Sequence, residues 1–200
     1  MFLFREFYMT IDEMKERLEQ TLSPERFRHS EEVMNEAVRL AELYGADIEK
    51  ARIAGLLHDC AKGARKDETY KELEKYRVVL DDIQKRTPVL LHSILGSVYA
   101  KEHYGVEDRE ILDAIYWHTT GKAGMTMLEK IIFVADYIER GRNYEGVEEA
   151  RKQAYTDIEK CIVICCNSTI RYILQKGRLI HPHIIEARND AIMQIERRTD

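Results

Sequence analysis

Four histidines and two aspartates stand where the helical pattern of this 200-residue chain calls for apolar side chains. His29 shares a stripe with Val33, Ala37 and Leu40, and His58 with Ala51, Ala54 and Ala61. His92 lies with Leu95, Gly96 and Tyr99, and His118 with Ile111, Ala114 and Ile115. Asp136 ends the run IIFVAD, four residues after Ile132 on a face that starts at Leu128, and Asp59 directly follows His58. One inward histidine is ordinarily a hydrogen-bonded core residue. Six inward polar groups would cost several kcal/mol each if left unpaired, whereas a divalent cation satisfies them together. The pair His58-Asp59 is the most specific element, because neighbours at a helix end can give one nitrogen and one carboxylate oxygen to the same ion. A carboxylate so placed can also bridge two ions. Imidazole with carboxylate and no thiolate suits iron or manganese, and zinc is allowed.

Five separate helices must bring these residues together. The period is helical nearly throughout, and three prolines and ten glycines give sparse punctuation, so the fold class is all-α in a single domain. Thr10-x-x-Glu13 and Thr126-x-x-Glu129 read as capping boxes. Ser23-Pro24 opens a helix that Gly45 closes, and another runs from Asp47 to about Ala61. Further helices are expected at 67–76, 91–103, 108–118, 126–140, 155–176 and 182–198. The stretch 63–88 is more charged and reads as an excursion beside the site, with RVVLDDI a weak strand signal. Residues 1–9 form an N-terminal extension and residues 10–200 the domain, with its core at 23–189.

Composition excludes several classes. A net charge of −5 and a pI near 5.9 argue against a dedicated nucleic-acid binder. Cys60, Cys161, Cys165 and Cys166 lack zinc-site spacing and read as reduced core residues. MFLFREFYM is too short and too interrupted for a signal peptide or a span, and no other stretch approaches twenty apolar residues, so the expectation is a soluble cytoplasmic protein. Helix signals begin only after Met9, which is an alternative start. His103 falls outside every motif and reads as a surface residue, and Tyr44, Tyr99 and Tyr116 read as core packing.

The series His29, His58-Asp59, His92, His118 and Asp136 resembles the H…HD…H…H…D pattern of the HD-domain metal-dependent phosphohydrolases. More closely, RFRHSEEV, AGLLHDCAK, AIYWHTTG, VADYIERGR and IHPHIIEARN resemble the bacterial symmetrical dinucleoside-tetraphosphate hydrolases of the YqeK type, in order from roughly Ser23 to Asn189. One departure is Arg140 in IERGR, where the family is expected to carry proline. The resemblance implies an HD-domain helical bundle and a mono- or dinuclear site that favours iron. It places His29, His58, Asp59 and Asp136 at the first metal. His92 and His118 hold a second metal, or contact phosphate in its absence. It also implies that diadenosine tetraphosphate is split at its centre into two ADP by a metal-activated water, with Asp59 orienting that water and Lys62 beside it in the catalytic pair.

The substrate is polyanionic and needs local cations. Lys62 follows His58-Asp59 by one turn, Arg26 precedes His29 by three residues, and Arg142 follows Asp136 just past a helix end. The family match adds contacts at Asp59, Cys60, Ala61, His92, His118 and Thr119. It adds a second group, Leu179, Ile180, His181, Pro182, His183 and Ile184, where a helix start offers free N–H groups to phosphate or ribose. Two other readings stay open. One is an HD phosphohydrolase acting on another nucleotide, as a deoxynucleotidase or phosphodiesterase, since pocket shape rather than the ion cluster reads base and chain length. The other is a non-catalytic nucleotide-sensing module, against which all six ligand positions are intact. The expected partner is a small nucleotide, with no nucleic acid and no membrane. A homodimer through the apolar segment Ile162–Ile173 is allowed.

Overall fold

The computed structural model describes residues 9–63 and 65–198, so nearly all of the expected N-terminal extension lies outside the described residues. The chain forms α1 (Ile11–Thr21), α2 (Pro24–Tyr44), α3 (Ile48–Leu57), α4 (Lys66–Lys75), α5 (Asp82–Arg86), α6 (Leu91–Tyr104), α7 (Arg109–Trp117), α8 (Met127–Ile138), α9 (Val147–Ala154), α10 (Ile158–Gln175) and α11 (Pro182–Glu196). No strand occurs among the described residues. Caps set the starts as the sequence suggests. Thr10 and Thr126 each complete a reciprocal box with the glutamate three residues on, and Ser23 accepts the Arg26 N–H ahead of Pro24. Gly45 closes α2 at φ +67°, a conformation that costs glycine nothing.

The centre of the bundle is α2 against α3 and α8, with α7 bridging α3, α6 and α8. Helices α9, α10 and α11 pack as an outer group reached through α8. The core is Leu, Ile, Ala and Met from every long helix, with Leu40, Leu56, Leu57, Ile115, Ile131 and Ile132 fully buried. A second, smaller cluster around Leu73, Leu91 and Leu95 seats the excursion on α6.

Two of the helices that end sooner than their periodicity suggests do so at a site residue. α3 stops at Leu57 and α7 at Trp117, leaving His58 and His118 in the first position beyond each. In both, the histidine Nδ1 donates to the carbonyl three residues back, Gly55 or Ile115, which is the acceptor that the next residue's N–H would need to prolong the helix. The RVVLDDI segment forms no strand: Asp81 accepts the N–H groups of Ile83 and Gln84 and starts α5 instead. The region before α10 holds α9, and α10 begins at Ile158 because Asp157 caps the N–H groups of Glu159 and Lys160. His103 is half-buried, its ring 4.6 Å from that of Tyr99, rather than a free surface residue. All four cysteines are buried and free.

At Gly55, α3 comes close against the backbone of α2. A Cβ there would lie 2.9 Å from the Met34 Cα, a backbone atom that cannot give way. Gly55→Ala should therefore lower the thermal midpoint by several degrees, corresponding to an overpacking cost of about 1–3 kcal/mol. An unchanged midpoint in a melting experiment would show that α2 and α3 are free to separate.

Candidate active site

Asp59 sits at the middle of six side chains contributed by five helices or their ends. Its Oδ2 lies 3.8 Å from His29 Nε2 and 3.6 Å from His58 Nε2, while its Oδ1 lies 3.3 Å from His92 Nε2 and 3.7 Å from His118 Nε2. Asp136 Oδ1 completes the first side, 3.0 Å from His29 Nε2 and 3.9 Å from His58 Nε2. The result is two adjacent lobes that share one buried carboxylate.

Ring orientation follows from the local chain. His58, His92 and His118 point Nδ1 at the carbonyls of Gly55, Val89 and Ile115, at 2.8, 2.6 and 2.7 Å. A carbonyl can only accept, so each Nδ1 carries the proton and each Nε2 of the neutral ring presents its lone pair. His29 Nδ1 instead meets the Glu139 carboxylate at 3.2 Å. The Nε2 atoms then face one another, 3.1 Å apart for His92 and His118 and 3.3 Å for His29 and His58. Lone pairs at that distance repel unless a cation or proton stands between them. Asp59 Oδ1 is moreover buried with no hydrogen-bond donor. A divalent ion with nitrogen and oxygen donors resolves both faults, so the residues fit one such ion or two bridged by Asp59.

The electrostatics agree. Burial pushes the His58 and His92 pKa values down to about 4 and about 3, and lowers that of His118, so these three rings are neutral donors at physiological pH. For His29, burial works in the same direction, but the hydrogen bond and charge of Asp136 outweigh it and raise its pKa. Burial alone would raise both carboxylates. Asp59 is nevertheless held well below the usual range by His58, His92 and Lys62, and Asp136 by His29, His58 and Arg142.

Three cations reach the cluster. Lys62 Nζ lies 3.0 Å from His92 Nε2 and 3.4 Å from Asp59 Oδ1, and Arg26 Nη1 lies 3.4 Å from Asp59 Oδ2. Arg142 donates from Nε to the Asp136 carbonyl at 2.8 Å and from Nη2 to its carboxylate. The Arg142 N–H bonds the Glu139 carbonyl at 3.0 Å, so this turn closes with Arg140 exposed at its corner. Thr119 Oγ1 stands 3.2 Å from both His92 and His118 Nε2.

A cavity of about 170 Å³ opens over His92, His118, Thr119 and Asp136. Across Val89, Thr119 and Thr169 it adjoins a more apolar one of about 230 Å³ lined by Tyr172, Ile173, Leu179, His181 and Ile184. Leu179, His181 and Ile184 are thus brought beside the cluster, with Ile180 half-buried next to them. His181 is already occupied: its Nδ1 accepts the His183 N–H and its Nε2 bonds Asp81 at 2.8 Å, tying the excursion to the start of α11. That N-terminus is therefore less open to phosphate than its sequence suggests. Pro182 and His183 front a separate surface hollow with Asp81 and Asp82, and the His183 ring meets Trp117 at 4.9 Å. Cys60 turns its thiol to the Gly96 carbonyl, away from the lobes, and Ala61 lines a different cavity of about 290 Å³ beside Lys62.

The sequence reading passed over Glu139, which orients His29, and over Phe133, Tyr137 and Thr169, which wall the cavity. Glu139 ends a polar helix terminus and Thr169 lies on a helix far along the chain, so neither carries a local signal.

With this geometry in view, three comparisons bear on the chain. The family model described as HD domain matches residues 26–141. A protein of Halalkalibacterium halodurans named symmetrical bis(5'-nucleosyl)-tetraphosphatase is 40% identical over 173 residues, 86% of this chain and 92% of that protein. Its namesake in Bacillus subtilis is 39% identical over 165 residues, 82% of this chain and 88% of that protein. The crystal structure of a predicted HD superfamily hydrolase involved in NAD metabolism, from Clostridium acetobutylicum, superposes with a TM-score of 0.90 at 42% identity, covering 94% of this chain and 99% of that one.

Glu139→Ala should weaken metal retention by about 10–100-fold while leaving the fold intact, because it frees the His29 ring without removing a donor. Competition with a chromogenic chelator measures this, and an unchanged affinity would remove Glu139 from the site. Protons should compete with the ion mainly at His29. Near pH 6.5, where the raised pKa keeps that ring mainly charged and the lowered ones keep the other three mainly neutral, about one proton should be released per ion bound. Calorimetry in buffers of different ionisation enthalpy would count it; release of three would contradict the assigned charge states.

Proposed function

The chain belongs to the HD domain family, and on that basis we propose that it is a metal-dependent hydrolase that splits diadenosine tetraphosphate at its centre into two ADP. The observation that carries this reading is the shared carboxylate of Asp59, with lone pairs from two histidines gathered on each of its oxygens. His29, His58, Asp59 and Asp136 would hold the first ion, and His92 and His118 with Asp59 a second. A divalent cation bound there supplies Lewis-acid polarisation of phosphoryl oxygens and activation of water. The nitrogen and oxygen donor set, with the nearest thiol turned away, supports iron, with manganese or zinc as alternatives.

The chain's own residues then do the following. Lys62, beside His92 and the free edge of Asp59, neutralises charge on the phosphate that lies over the cluster. Arg26 and Arg142 hold the carboxylates in place and present guanidinium edges to the polyphosphate. Thr119 offers a hydroxyl where the two histidines of the second lobe meet. The apolar cavity of Leu179, Ile184 and Tyr172 takes the nucleoside of the retained half. Water oxygen bonds to the β-phosphorus of that half, the bridging P–O bond breaks, and its oxygen leaves with the second ADP. Asp59 and Asp136 are acceptors on which the water can align.

Among the described residues no helix is long and apolar enough to cross a membrane. With free, buried cysteines this supports a cytoplasmic enzyme. A homodimer through the α10 face is part of the same reading, as is a domain spanning residues 10–200.

Anaerobic purification followed by chromatography of the products tests the reaction. ADP as sole product, dependent on added iron, is expected; AMP with ATP would refute central cleavage, and equal rates on mononucleotides would refute the substrate. Asp59→Ala should abolish turnover and release the ion, while Lys62→Ala should raise KM and retain it.

A further inference from the structure

The reading above accounts for one half of a two-sided substrate. A symmetrical dinucleotide with its first nucleoside beyond Thr119 must send its other half past the opposite edge of the cluster. A hollow that borders the cluster at His29, Arg26 and Arg142 lies there. It has a volume of about 430 Å³, within the roughly 300–1,000 Å³ of pockets that enclose small ligands, and it shares no lining residue with the cavity over His92 and His118. The two sides meet across Asp136 and Asp59, where His29, Arg26 and Arg142 reach through.

Four arginines line this hollow, and they divide into two kinds. Arg26 and Arg142 are held by Asp59 and Asp136 and belong to the cluster. Arg28, from the outer side of α2, and Arg140, from the turn after α8, are exposed, and no carboxylate among the described residues pairs with either. Guanidinium groups left free at a cavity rim suit phosphate oxygens and the faces of purines. Glu25 and Glu32 line the same hollow, while Glu139 is engaged by His29 and the Gly141 N–H. The charge is therefore nearly balanced, which favours weak holding of an anion that has to leave. The alternative exit, the cavity of about 290 Å³ beside Ala61 and Thr69, offers one cation, Lys62, which already serves the phosphate over the cluster and leaves none for a second half.

We propose that this hollow is the binding site for the departing nucleotide half, and that Arg28 and, as a feature of this chain, Arg140 grip its α-phosphate. The proposal rests on the central-cleavage reading, and the test separates the two. Equilibrium dialysis of the metal-loaded protein against labelled ADP should show two ADP per chain, one tight and one weak. The double variant Arg28→Ala/Arg140→Ala should keep the tight site, lose the weak one, and show kcat/KM on diadenosine tetraphosphate lowered about tenfold, mostly through KM. Both residues are exposed, so the variant should fold, and its retained tight site verifies that it has. A wild-type protein that cleaves the substrate centrally but binds a single ADP would overturn this proposal alone, as would a variant that keeps both sites. A wild type that fails to cleave the substrate would overturn the central-cleavage reading, and the hollow's assignment with it.

Discussion

The carboxylate of Asp59 is the constraint on which the rest of the molecule turns. It is 2% exposed and one of its oxygens has no hydrogen-bond donor, which in an ordinary core would be a serious fault. The fault is tolerable only because four imidazoles and Asp136 face the same point, so that an ion can bind to all of them at once. The helices around it serve this convergence. α2 lies close enough to α3 to need a glycine, and α7 and α8 close the remaining sides.

Burial and charge pull in opposite directions throughout the cluster, and the balance differs by residue. His58, His92 and His118 yield to burial and stay neutral, which leaves their lone pairs available. His29, less enclosed and bonded to Asp136, yields to charge. Both carboxylates stay ionised because the surrounding cations and rings outweigh the cost of removing them from water. Such a set is poised for a cation and poorly stable without one, so occupancy and folding stability are linked.

Much of this was legible in the sequence, for a physical reason. The all-α class, the caps at Thr10, Ser23 and Thr126, and the inward face of each histidine all follow from local chemistry and a 3.6-residue period. The family resemblance ordered those same residues along the chain, and the HD domain match covers them. What local pattern could not supply is what depends on packing between distant segments. Glu139 reaches His29 across 110 positions, Thr169 arrives from α10, and the side-by-side cavities exist only once the outer helices are in place. The helix ends at Leu57 and Trp117 were misjudged because the hydrophobic period runs on past them, while the terminating bond comes from the histidine side chain itself. Alternation of apolar residues in RVVLDDI was equally uninformative, since Asp81 makes a helix cap there.

The hydrogen bond from each of three histidine rings to the carbonyl three residues behind it separates two properties that are usually tied together. Where a lone pair points is decided within one turn of chain and travels with that turn as a unit. How far apart the lone pairs stand is decided by the spacing of whole helices. A shift of a few tenths of an ångström between α3, α6 and α7 would therefore change the ionic radius that the site accepts without misaligning any of these three rings. In lineages that drift in core packing, the identity of the preferred ion is then free to change by mutations far from the donors, with every donor left in place.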